Sequence, residues 1–175
     1  MPTKVNLKLP KNIWTKADTQ RLAMDTLASI KLRTSKGIDA NGANFKEYST
    51  KKIYISLDKG TGARLKPKGG VLSRTGKTMR FDLGYREYKD KSRRRGTVPG
   101  QTDSAEVDLV LSGALMNNLI VLQATKTRFV IGLTNHVRHY GYAVNSEREY
   151  LGLSPQDMRI LVGTVQQVIS DKLGR

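Results

Sequence analysis

Leu119-Ile-Val-Leu122 and Phe129-Val-Ile-Gly-Leu133, joined across the polar Thr125-Lys-Thr127, form the stretch whose reading decides the fold. Both runs are short and rich in β-branched and large apolar residues, and the link between them is polar. That pattern predicts two antiparallel strands and a hairpin. Upstream, Glu106-Val-Asp-Leu-Val-Leu-Ser112 would place Val107, Leu109 and Leu111 on one face of a further strand. Gly113 to Asn118 then reads as a turn or a single helical turn. Downstream, Ser154-Pro-Gln-Asp157 opens a helix over about 155–173. Ser is the N-cap, Pro takes the first helical position, and the acid three residues after the cap makes a variant of the capping box. Met158, Leu161, Val165, Val168 and Ile169 form its apolar stripe, and Gly174 ends it.

Towards the N-terminus a second helix is expected over about 15–36. Thr15 or Asp18 can cap it, Leu22, Ala23, Leu27 and Ile30 share one face, and Gly37 fits the C′ position. Residues 1–13 read as an extended N-terminal arm or short strand. Over 43–58, Phe45 and Tyr48 are anchors, Ser49 can cap a short helix, and Ile53-Tyr-Ile-Ser-Leu57 has strand composition. Met79, Phe81, Leu83 and Tyr85 alternate with polar residues or glycine, which predicts a strand. Val71-Leu72 is its hairpin partner across Arg74-Thr-Gly76. Lys89 to Gly96 reads as a mobile tip, and Asn135 to Gly141 as a polar loop. The expectation is a single α+β domain over 1–175. An antiparallel sheet is packed by two main helices, and a long, basic, glycine-rich hairpin or loop is inserted at 59–104.

Charge distribution narrows the function. The 175-residue chain carries 31 Lys and Arg against 15 Asp and Glu, a formal net charge of +16. Residues 59–95 hold 13 basic and 3 acidic residues, whereas 96–175 hold 7 of each. A neutral C-terminal half therefore carries a basic appendage. Within it Arg64, Lys66, Lys68, Arg74, Lys77, Arg93, Arg94 and Arg95 are the candidate contacts for phosphate or for an acidic partner, with Phe81, Tyr85 and Tyr88 as candidate stacking groups. The absence of cysteine excludes disulfides and thiolate metal sites. No run approaches a membrane span, and Met1 to Trp14 lacks a signal-peptide core, so neither membrane nor secretion is expected.

Catalytic signals fail on inspection. Gly76-Lys77-Thr78 has the ending of a phosphate loop, but Val71 stands where the first glycine is required. His136 and His139 have ligand spacing, with only Glu147 and Glu149 as local third ligands. Neither an acid–base pair nor a nucleophile–base pair stands out. No enzyme activity and no cofactor are expected.

Four ordered stretches carry a family resemblance. They are Lys36-Gly-Ile-Asp-Ala-Asn-Gly42 with Phe45 and Tyr48-Ser49, and Val107-Asp-Leu-Val-Leu-Ser-Gly113 with Leu115-Met116 and Leu119. Then follow Val130-Ile-Gly-Leu133 with Tyr142-Ala143 and Asn145, and Arg148-Glu-Tyr-Leu-Gly-Leu-Ser154 with Asp157. Together they resemble the virion-morphogenesis, or tail-completion, proteins of tailed bacteriophages. The resemblance implies a structural protein of the virion, made in the host cytoplasm and placed at the neck or head-proximal end of the tail. It implies a homo-oligomeric ring touching neck, connector or tail-tube proteins, with DNA as a possible occupant of its channel. The basic insertion departs from the family pattern. The alternative is a basic nucleic-acid-binding protein acting through 59–95.

Overall fold

The structure is a computed structural model that describes residues 2–6, 13–57, 66–92 and 107–174. Its fold class is α+β, as the sequence predicts. Among the described residues, strands β1 (Thr3–Asn6), β2 (Ile53–Ser56), β3 (Val71–Leu72), β4 (Thr78–Phe81), β5 (Leu119–Ala124) and β6 (Arg128–Leu133) occur together with five helices. The helices are α1 (Lys16–Ser35), α2 (Gly84–Ser92), α3 (Ala114–Asn117), α4 (Asn135–Glu147) and α5 (Pro155–Leu173). The strands form two antiparallel three-stranded sheets, ordered β1-β6-β5 and β2-β4-β3. The chain divides into two compact units, one from Met1–Thr34, Ile38–Asn44 and Asn118–Arg175, the other from Ser35–Gly37 and Phe45–Asn117.

In the first unit the expected hairpin is present, with Leu119 opposite Leu133 and Val121 opposite Ile131. A bulge at Leu122 adds one residue to β5. The extended N-terminal segment pairs with β6, Val5 facing Phe129. Residues 7–12 of the expected arm lie outside the described residues. Leu119, Phe129, Ile131 and Leu133 are fully buried on one sheet face, together with Leu22, Ala23 and Ile30 of α1. Each such large side chain contributes about 1.5–3 kcal/mol of burial free energy.

Both long helices form where the caps predict. The Asp18 carboxylate accepts the Thr15 N–H at 2.7 Å, and the Thr15 hydroxyl oxygen accepts the Asp18 N–H at 3.3 Å. After Ser35 the chain turns through Gly37 at φ +75°, and the Ile38 N–H reaches back to the Arg33 carbonyl at 3.2 Å. That 6→1 bond is the Schellman ending. In α5 the Ser154–Asp157 capping box is complete and Gly174 is left-handed. Asp18 bonds Lys172, and Arg33 bonds Asp157, so the N-terminal end of each helix meets the C-terminal end of the other. The two helices therefore run antiparallel.

Several local expectations are corrected. Residues 45–50 form no helix, although Phe45 and Tyr48 are buried as expected. The 79–85 strand stops at Phe81. Gly84 then adopts φ +66°, and the Leu83 N–H is taken by the Glu87 carboxylate at 2.8 Å, which starts α2. Residues 107–113 form no strand, and burial falls on Asp108 and Val110 rather than on the alternate set. Asn135 to Gly141 is helical, because Val137, Gly141 and Val144 recur at helical spacing and the first two are buried in α4.

Candidate interaction surfaces

The second unit holds the described part of the basic segment. Val71 pairs with Arg80 and Leu72 with Met79, the hairpin the sequence predicts. Gly76 turns it at φ +68°. Lys66 and Lys68 precede β3, while Arg74 and Lys77 lie in the β3–β4 connection; all four are exposed. The fold thus brings Arg74 and Lys77 to one end of the small sheet. Arg64, Arg93, Arg94 and Arg95 lie outside the described residues.

The three aromatics expected to stack on a ligand are instead packed within the unit. Phe81 and Tyr88 are buried, and Tyr85 is half-buried. Their rings join Tyr48 in a chain of contacts with centroids 5.1–5.7 Å apart. Among the described residues of this unit the exposed aromatic is Tyr54, 61% accessible. It stands opposite Arg80, which stands opposite Val71, so one solvent-facing row crosses all three strands. Alternation of Tyr54 and Ser56 with Ile53, Ile55 and Leu57 already sets Tyr54 on the outer side of its strand, but not the residues beside it. Only the register with β4 sets those.

Lys89 overturns the expectation of a mobile tip. It lies on α2 and is 1% exposed. Its ammonium bonds the Asp108 carboxylate, donates to the Tyr48 hydroxyl at 3.0 Å, and sits 4.4 Å from the Tyr48 ring centroid. Asp108 also accepts the Val110 N–H at 2.9 Å, and Leu109 between them is held at φ +54°. A buried charge is tolerated only when paired and bonded, and here both conditions are met. One of the thirteen basic residues of 59–95 is therefore a core residue.

In the first unit three of the four family-like stretches converge. Arg33 bonds Asp157 and donates to the carbonyls of Tyr150 and Gly152 at 2.8 and 3.3 Å. The Asn145 side chain accepts the N–H groups of Tyr150 and Leu151 at 3.0 and 2.7 Å. The Ala40 N–H donates to the Glu149 carbonyl at 2.7 Å. The Tyr150 hydroxyl donates to the Gly141 carbonyl at 3.1 Å, and burial, with Tyr140 and Tyr142 nearby, pushes its pKa well above the ordinary phenol value. Turn 38–44, Asn145 and segment 148–154 are thereby one hydrogen-bonded unit.

His136 and His139 are exposed on α4. Among the described residues no group of three or more His, Asp or Glu side chains is placed to hold a metal. Among the same residues no helix is long and apolar enough to cross a membrane. No family model, curated protein or solved structure matches the chain.

Proposed function

We propose that this chain is a structural protein of tailed bacteriophages. In this reading it acts at the neck or the head-proximal end of the tail, as one subunit of a ring that joins or completes the tail at the head. The observation that carries the proposal is the convergence around Arg33 and Tyr150. The first stretch, through Ala40, meets the adjacent last two, through Glu149, Tyr150 and Asn145, across more than a hundred residues, and Arg33 ties the same segment to α1. They act as fold-defining residues, which suits a family defined by assembly rather than by catalysis. Its partners are copies of itself and the adjoining neck, connector or tail-tube proteins. Negative-stain microscopy of particles made without this chain tests it: filled heads and separate tails are expected, and intact particles would refute it.

The row Tyr54–Arg80–Val71, with Arg74 and Lys77 at one end of its sheet, favours a second reading as a nucleic-acid-binding protein. Cations would meet phosphates and Tyr54 a base or sugar. That reading expects DNA binding that weakens steeply with salt and is reduced by Tyr54→Ala. Undetectable binding at low salt excludes it.

A further inference from the structure

Two apolar faces of the first unit lack a partner among the described residues. The first runs along α5. Met158, Val162, Val165, Ile169 and Leu173 follow one another at helical spacing, beside the Asp157–Leu161–Val168 face that is buried. Met158, Val162 and Leu173 are 45%, 46% and 51% exposed. The second face is the outer side of the β1-β6-β5 sheet. Ile120 and Leu122 are 37% and 39% exposed there. Gly132 lies beneath them, and a Cβ on it would come within 2.7 Å of Leu122 Cδ1, so glycine lets Leu122 lie flat across the sheet. Val130 is on the same side, with Lys4 opposite it.

We propose that α5 of one subunit packs on the outer sheet face of the next copy of this chain, through Met158, Val162, Ile169 and Leu173 against Ile120 and Leu122. This rests on the ring reading and names the contact that builds the ring. A helix stripe laid on a sheet face is a standard way to bury both. Charge decides the occupant. In a chain of net +16, the charged residues of α5 are Asp157, Arg159, Asp171 and Lys172, which balance. A neutral helix approaches another copy without setting cations against cations. Two sheet faces pressed together would instead oppose Lys4 and Arg128 to their own copies. The two faces are different surfaces of one unit, so the contact is head-to-tail, the type that closes into rings.

Light scattering of the purified full chain over a wide concentration range tests this. The wild type is expected to gain mass with concentration. Val162→Glu and Leu122→Glu should each require at least about tenfold higher concentration to associate, because each sets a carboxylate in the apolar contact. An equimolar mixture of the two variants is the sharp arm. Each variant retains the face the other has lost, so the mixture should form dimers and stop there. Met158→Glu with Ile120→Glu, at exposed positions, repeats the design should either first variant fail to fold by circular dichroism. A wild type that stays monomeric at the highest concentration overturns the proposal. So does a Leu122→Glu variant that associates like the wild type while Val162→Glu does not, the result for symmetric helix–helix pairing. So do variants that both associate like the wild type, and single variants that stay monomeric and form no dimer when mixed. Mass reads the contact alone, whereas particle morphology reads the neck function, so either can fail without the other.

Discussion

Lys89 and Asp108 show how a residue's chemistry depends on its surroundings. By composition Lys89 belongs to the most basic part of the chain, and its neighbours in sequence are solvent-compatible. Charge counting assigns it to a surface, because no local signal marks a lysine as buried. Its pairing with Asp108, nineteen positions away, appears only once α2 and the 107–113 segment fold together. Lys89→Ala leaves a buried carboxylate without its ion-pair partner and is expected to cost about 3–5 kcal/mol in urea unfolding. Replacing both partners by apolar residues should recover much of that loss. A loss below about 1 kcal/mol for the single variant would contradict the burial described here. Asp18 makes a separate prediction. Burial pushes its carboxyl pKa up, but bonds from the Lys172 ammonium and from the Thr15 hydroxyl and N–H outweigh this and hold it at about 2, below the ordinary 3.8. A depressed carboxyl pKa stabilises the fold above the unfolded value and loses that contribution as pH falls through the folded one. Stability should therefore fall between about pH 4 and pH 2. Asp18→Asn should flatten that part of the pH profile, and an unchanged slope would contradict the bonding.

Elements were legible where their signals are local. Helix α5 announces both ends through Ser154-Pro155, Asp157 and Gly174, and α1 through Thr15, Asp18 and Gly37. The β5–β6 hairpin is equally plain, because two apolar runs flank a polar link. Where tertiary contacts choose between alternatives, local patterning misleads. The period-2 run from Met79 to Tyr85 is real, yet the strand ends at Phe81, a turn follows, and Tyr85 is helical. Gly84 sits so close to the 49–51 segment that a Cβ would lie 2.5 Å from the carbonyl oxygens of Ser49 and Lys51. No alternation rule contains that contact. Gly84→Ala combines this clash with the strain of φ +66° and should destabilise the protein by more than about 1 kcal/mol, read as a lowered urea midpoint. Gly76→Ala, equally left-handed but in open space, should cost less. Equal effects would deny the close approach at Gly84. Helix α4 was readable in principle, since Val137, Gly141 and Val144 have helical spacing, but its polar residues obscured the pattern.

At the scale of the whole molecule, the uneven charge first suggested nucleic acid, and the structure redistributes that suggestion. Lys89 is in a core, Tyr54 rather than Phe81 or Tyr88 is the exposed aromatic among the described residues of the second unit, and Lys66, Lys68, Arg74 and Lys77 remain open to a partner. The first unit holds the network around Arg33 and Tyr150, and on its exterior two apolar faces suited to another copy of the chain. The order of the four stretches was visible in the sequence. That the first meets the last two was not, because the Ala40–Glu149 bond joins segments over a hundred residues apart. The central claim is that the chain is an assembly component joining heads to tails. Its most direct measurement is add-back: the purified protein is mixed with a lysate made without it, and joined infectious particles are counted. The account predicts that joined particles appear with the wild type and are sharply reduced with Val162→Glu. Heads and tails that join equally well without the chain, or that stay separate when it is supplied, would contradict it.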